Sequence, residues 1–320
     1  MDGMLAFHDT APDVEDFLDA VLAGLSRPRK SIPCKFFYDE RGSALFEEIC
    51  DLPEYYPTRT EIAILEDAAP EIADLAGPGA ALIEFGSGSS RKVRILLDAL
   101  RAPAAYVPVD ISREHLRRSA ADLAADFPAL DVIAVCADYT RPFRLPPLAA
   151  PPRRRVGFYP GSTIGNFAPA DAGAFLRTAA RLLGRGAGMV VGVDLRKDRE
   201  TLEAAYDDRR GVTAEFNLNL LARVNRELGG DFDLDRFAHE AVWDAEEGCV
   251  TMYLRSLADQ TVTVAGRRFR FAAGERIHTE NSYKYSLDGF RRLAAHAGFR
   301  AVETWTDRDD LFSVHYLDVV

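Results

Sequence analysis

The stretch ALIEFGSGSS, from Ala81 to Ser90, ends an apolar run on two glycines, Gly86 and Gly88, and is followed by a helix that begins near Arg91. Without a Cβ, glycine lets a bound molecule approach the backbone closely, and the first turn of the next helix presents unpaired N–H groups to it. That is the chemistry of a nucleotide-cofactor turn. Ser90 stands where the dinucleotide fingerprint places a third glycine, and a carboxylate at Glu84 would repel a pyrophosphate. The turn therefore suits a cationic or amine-bearing ligand such as S-adenosylmethionine. Taken alone, an ordinary glycine-rich strand-to-helix loop would read the same way.

Two further acids fall where such a ligand needs them. Asp110 ends the run AYVPVD, close to the roughly 20-residue offset from the glycine turn at which a carboxylate accepts from ribose hydroxyls. It is equally suited to cap the helix that starts near Ser112. Asp138 and Tyr139 end a third strand-like run, DVIAVCAD, and an acid beside an aromatic ring matches the amino group and the face of an adenine. Near the N-terminus, Phe36, Phe37, Tyr38, Tyr55 and Tyr56 crowd around Pro33, Pro53 and Pro57. Aromatics beside prolines pack a loop onto a core; some can also line a small-molecule pocket.

These residues need elements to position them. From Glu61 to Leu195 apolar strand-like runs alternate with helical periodicity, and a second glycine-rich turn spans Gly161 to Asn166. This alternation predicts an α/β, doubly wound, Rossmann-like parallel sheet with its ligands at the carboxyl ends of the strands. It breaks over 198–285, where a polar helical stretch precedes CVTMYLRS, QTVTVAG and RFRFAAGE. The core resumes with a helix from Leu287 and ends in two strand-like runs, an antiparallel pair. The expected division is a core of 61–197 and 286–320, and a smaller α+β lobe of 1–60 and 198–285.

The 320 residues carry 39 Lys and Arg against 50 Asp and Glu, a net charge of -11, which on average repels nucleic acid and anionic membrane. The four cysteines are widely spaced, with no metal-ligand or disulfide pattern. No apolar run approaches the roughly 18 residues of a spanning helix, and the acidic N-terminus has no basic leader. The expectation is a cytoplasmic protein, monomeric, with no metal and no nucleic-acid or membrane partner.

Seven segments in order, SIPCKFFYDERGSALFEEI, LPEYYPTRTE, EFGSGSSRK, VPVDIS, YPGSTIGNF, DLRKD followed by AYDD, and TENSYKY, resemble the amino-acid Nα-methyltransferases typified by the histidine Nα-methyltransferases of ergothioneine biosynthesis. The resemblance covers nearly the whole chain. It implies a methyltransferase sheet with a substrate lobe, S-adenosylmethionine as methyl donor, and trimethylation of the α-amine of L-histidine to hercynine. Carried over by position, it implies that Gly86, Lys92, Asp110, Asp138 and Tyr139 bind the cofactor. It places substrate contacts on Tyr56, Asn166, Tyr206, Glu280 and Ser282, with Tyr38 the catalytic candidate near the amine.

On this reading Asn166 and Tyr206 hold the α-carboxylate and Tyr56 closes the ring pocket. Glu280 and Ser282 bond the two imidazole nitrogens, a pairing that an indole or phenyl ring cannot satisfy. A relative acting on tryptophan or another amino acid is the nearest alternative. A non-catalytic sensor of S-adenosylmethionine or an amino acid is the more distant one.

Overall fold

The computed structural model describes residues 3–10, 16–88 and 90–320, so Ser89 of the glycine turn lies outside the described residues. The chain divides into two compact units. The first comprises the described residues within Met1–Val14, Arg59–Leu195 and Tyr285–Val320; the second comprises those within Glu15–Thr58 and Arg196–Lys284.

The first unit is built on an eight-stranded sheet. Its strands run, in spatial order, Leu5–Asp9, Val132–Cys136, Ala105–Asp110, Ala80–Phe85, Arg154–Tyr159, Gly188–Asp194, Phe312–Val319 and Phe299–Thr306. The first six are parallel. The last two are antiparallel, as the C-terminal runs predict. Because side chains alternate along a strand, Ala80–Phe85 feeds both faces: Ala81, Ile83 and Phe85 join one apolar cluster, Ala80 and Leu82 the other. Burial on both faces explains why this strand reads as a continuous apolar run rather than an alternating one. Chain order reverses between Ala80–Phe85 and Arg154–Tyr159, and both strands lead into glycine turns whose first residues, Gly86 and Gly161, each have φ +77°. A crevice at such a reversal is where parallel sheets hold ligands.

One boundary differs from the expected division. Residues 1–60 are expected in the second lobe, yet Leu5–Asp9 extends the first unit's sheet, with Leu5 opposite Val132 and Asp9 opposite Cys136. A five-residue strand on a sheet edge carries little apolar signal of its own; its pairing comes from the exposed N–H and C=O groups of the neighbouring strand.

The second unit holds a three-stranded antiparallel sheet, ordered Arg276–Tyr283, Cys249–Ser256, Phe237–Asp244. Its last strand has no clean alternation (FAHEAVWD) and is half-buried along most of its length, so the sequence does not announce it. A separate hairpin, Gln260–Val264 with Arg267–Phe271, turns through Ala265 and Gly266, both at positive φ. Helices Phe17–Leu25, Glu40–Cys50, Arg199–Tyr206 and Val212–Leu228 complete this unit. Between the units in sequence, the helix expected from Glu61 begins earlier, at Tyr56, with Pro57 in the first turn, where its missing N–H has no intrahelical partner to lose.

Within the first unit, Gly192 in the strand Gly188–Asp194 has no room for a side chain, because a Cβ there would overlap Oε1 of the fully buried Glu61. Gly192→Ala is expected to destabilise the protein by about 1–3 kcal/mol, the usual cost of overpacking a core. Denaturant unfolding of the two proteins measures it; an unchanged midpoint would mean that Glu61 relocates freely.

Candidate active-site residues

The cofactor candidates all lie in the first unit, around the two glycine turns. Gly86 adopts a left-handed conformation and its N–H donates to the Val109 carbonyl at 2.8 Å, which ties the turn to the adjacent strand. A Cβ built on Gly88 meets nothing within 4 Å, so this position faces open space. Between them, the buried Ser87 Oγ has no hydrogen-bond partner among the described residues. An open glycine and an orphaned hydroxyl on one turn fit a bound polar molecule such as S-adenosylmethionine.

Lys92, in the first turn of helix Arg91–Ala99, sits 2.5 Å from Oε2 of Glu61. The same Glu61 carboxylate accepts the N–H of Gly161 at 2.8 Å. One buried acid thus joins the helix after the first glycine turn to the backbone of the second. The ammonium expected to meet a cofactor carboxylate is charge-balanced, with its other N–H groups left to bind. Sequence reasoning missed Glu61, since a charge at the start of a helical run is ordinary.

Asp110 ends its strand, and Oδ1 accepts the Ser112 N–H at 2.8 Å, so the capping role is realised. Burial pushes its carboxyl above the ordinary range. Asp138 accepts from Thr140 N and Oγ1 at 3.0 and 2.6 Å, forming a side-chain turn at its strand end. Tyr139 packs edge-on to Phe85, Tyr159 and Phe175, with centroids 5.8–6.3 Å apart. Asn166 ends the short helical turn Thr163–Asn166 of this unit and is half-buried.

Glu84 is a correction. Read as a displayed anion before the turn, it is instead buried in the sheet and accepts a hydrogen bond from the Tyr106 hydroxyl. Burial pushes its carboxyl up to about 8. At neutral pH it therefore presents no negative charge at the turn. The strand's full burial is what the sequence pattern hides, since Glu is almost never placed in such a run.

The second unit carries the remaining candidates. Tyr206 Oη lies 2.8 Å from Ser282 Oγ. Lys284 Nζ, from a nearly fully buried side chain, donates to both oxygens, at 2.7 Å to Tyr206 and 2.8 Å to Ser282. Glu280, Ser282 and Lys284 are buried while Asn281 and Tyr283 between them are not, so a period of two sets all three on one face. The strand register shifts between His278 and Glu280, a bulge of the kind that re-aims side chains beside sites. Lys284 went unassigned in the sequence, although the spacing E-x-S-x-K already placed it beside the other two.

Glu280 is 9% exposed, and among the described residues nothing hydrogen-bonds to its carboxyl. Burial raises its pKa to about 7, with the Lys284 charge pulling the other way. Behind Tyr206, the ring of His239 touches the Tyr206 carbonyl through Nε2 at 2.7 Å and the Asn217 amide nitrogen through Nδ1 at 2.8 Å. Burial lowers the His239 pKa, which favours a neutral ring that accepts from Asn217 and donates to the carbonyl. This pins the end of helix Arg199–Tyr206, from which Tyr206 projects.

Tyr56 accepts a hydrogen bond from Lys197 Nζ at 2.6 Å. Tyr38, 41% exposed, meets Phe46 edge-on with centroids 5.7 Å apart; Phe46 meets Tyr55 at 6.3 Å, and Tyr55 meets Tyr206 at 6.2 Å. The aromatic crowding seen in the sequence thus becomes a continuous run of rings from Tyr38 to Tyr206. Burial holds the Tyr55 phenol well above its usual range, so it stays protonated and is no base. Among the described residues no group of three or more His, Cys, Asp or Glu could hold a metal ion, and no helix is long and apolar enough to cross a membrane.

The Glu84 carboxyl sets a pH dependence. Its folded-state pKa of about 8 lies above the ordinary 4.5, so its contribution to stability is fully present below 4.5 and is lost as pH rises towards 8. Glu84→Gln keeps a neutral acceptor for Tyr106 and does not titrate. Its melting temperature relative to the wild type is expected to be higher at pH 8 than at pH 5. An equal difference at both pH values would show a carboxylate ionised throughout.

Comparison with known proteins bears on the whole chain. The family described as histidine-specific, S-adenosylmethionine-dependent methyltransferases matches residues 17–319. The chain is 44% identical to the histidine N-alpha-methyltransferase of Mycolicibacterium smegmatis, covering 90% of each protein, and 40% identical to that of Mycobacterium tuberculosis with the same coverage. It is also 35% identical to ergothioneine biosynthesis protein 1 of Neurospora crassa, over 95% of this chain and 35% of that longer protein. Together with the parallel sheet, its antiparallel C-terminal pair and the two glycine turns, these matches establish that the chain belongs to the histidine-specific, S-adenosylmethionine-dependent methyltransferase family.

Proposed function

We propose that this protein transfers three methyl groups from S-adenosylmethionine to the α-amine of L-histidine, giving hercynine, in ergothioneine biosynthesis. The observation that carries the reading on this chain is Glu280: a carboxyl nine-tenths buried that accepts no hydrogen bond among the described residues, two positions from a hydroxyl held in place. Leaving such an acceptor unmet costs about 1–3 kcal/mol, so a ligand that brings an N–H to it gains what an apolar ring forfeits. An imidazole offers one nitrogen to Glu280 and the other to Ser282. An indole has a single N–H and no second ring nitrogen, which disfavours tryptophan.

On this reading Gly86, Lys92, Asp110, Asp138 and Tyr139 bind the cofactor, and Tyr56, Asn166, Tyr206, Glu280 and Ser282 hold the substrate. Bound S-adenosylmethionine supplies an electrophilic methyl group, so the chain's own task is to present a neutral amine in line with it. Tyr38 and Phe46 offer aromatic faces to the amine as methylation makes its charge permanent. The strongly acidic composition and four free cysteines support a cytoplasmic setting without nucleic acid or membrane partners, and we propose a monomer.

Purified protein incubated with S-adenosylmethionine and single amino acids is expected to add three methyl groups to L-histidine, read by mass spectrometry. A mass gain on tryptophan and none on histidine would sink this reading. Glu280→Ala is expected to raise the KM for histidine at least about tenfold, the effect of one lost hydrogen bond to a charged group. It should also narrow the preference for histidine over tryptophan. Unchanged selectivity would place imidazole recognition elsewhere.

A further inference from the structure

We propose that Lys284 is a positioning residue for imidazole recognition: its ammonium group fixes the Ser282 and Tyr206 hydroxyls and supplies the positive charge against which Glu280 works. This rests on the histidine reading above and extends it to a residue that makes no expected substrate contact.

An ammonium only donates, so Ser282 Oγ and Tyr206 Oη each give a lone pair to Lys284. Those two hydroxyls hold two protons between them, and one is spent on the bond that joins them. A single O–H remains to be directed outward. When Tyr206 gives the joining proton, both lone pairs of Ser282 Oγ are taken by Tyr206 and Lys284, the Ser282 O–H is the one that faces the ligand, and the nitrogen opposite it is an unprotonated acceptor. The other ring nitrogen then carries the hydrogen, which the Glu280 carboxylate receives. In that orientation the lysine leaves a donor at Ser282 and an acceptor at Glu280.

The same arrangement predicts a pH signature. Lys284 is the group that opposes the upward push of burial on Glu280, whose pKa is raised to about 7. Among the described residues, the other titratable groups that sense Glu280 are Cys34 and Tyr55 from the N-terminal segment and Cys249 from the neighbouring strand. Burial pushes Cys34 up to about 12, Cys249 above its usual 9.0 and Tyr55 well above 10.0, so none of them ionises below pH 9. Removing the lysine charge leaves burial unopposed and moves the Glu280 ionisation to higher pH.

The test is a pH profile of kcat/KM for histidine from pH 5.5 to 9, using the full chain with saturating S-adenosylmethionine, for wild type, Lys284→Met and Lys284→Arg. Substrate ionisations are common to all three, so differences report groups of the protein. Lys284→Met is expected to raise KM at least tenfold with kcat changed less than threefold, and to shift the acid limb upward by about one pH unit, the low end of the effect of a nearby opposite charge. Lys284→Arg keeps the charge and is expected to keep the wild-type limb. If Lys284→Met does not melt cooperatively, Lys284→Gln serves as the neutral variant with the same readout. A neutral variant with the wild-type limb, or an arginine variant that shifts as far as methionine, overturns the proposal. Absence of histidine turnover by the wild type removes the histidine reading and the proposal together, whereas wild-type turnover with an unmoved limb removes the proposal alone.

Discussion

The buried carboxylate of Glu61 is the constraint on which the arrangement of the first unit's two glycine turns depends. A charge taken out of water must be paired and hydrogen-bonded, and Glu61 is met by the Lys92 ammonium and by the N–H of Gly161. One partner lies in the helix after the first glycine turn and the other in the second turn, so satisfying one acid sets the relative position of both. The strand Gly188–Asp194 contributes the space, because Gly192 has no side chain where the carboxylate sits. Lys92 is thereby held beside the first turn as one half of an ion pair.

The second unit solves a different problem with a strand. Side chains two apart share a face, so Glu280, Ser282 and Lys284 form a row whose spacing the backbone dictates. The bulge before Glu280 changes where that row points, and the neutral His239 ring, gripped by Asn217, holds the Tyr206 backbone so that its phenol reaches the row. The precision resides in elements with paired backbones rather than in loops, as positioning to a few tenths of an ångström requires.

What could be read from the residues alone follows the same physics. Glycines at Gly86 and Gly161 announced their turns because left-handed backbone demands them, and the apolar runs announced a buried parallel sheet. Asp110 and Asp138 were found as strand-end acids, although both also serve their local turns. Glu61 left no local signature, since its partners lie 31 and 100 residues away along the chain. Leu5–Asp9 was misplaced for the same reason: its pairing energy belongs to the edge of another strand. Lys284 was legible in the alternation E-x-S-x-K, but a lysine ending an alternating run is usually solvated, and only the side chain's burial overrules that prior.

Glu84 and Glu280 show how one residue type serves opposite ends. Both are buried in strands, and burial lifts both carboxyls, to about 8 and about 7. Glu84 has the Tyr106 hydroxyl to satisfy it, and the Lys92 charge it senses is countered by those of Asp110 and Glu61, so the neutral form fits the sheet. Glu280 has no hydrogen-bond donor among the described residues but does feel an ammonium, which favours the anion while leaving its oxygens available. A carboxylate in that condition is stabilised further only by a donor brought from outside. The two carboxyls therefore differ in that Glu84 is met by a hydrogen bond within the sheet, whereas Glu280 has a nearby positive charge but no donor among the described residues.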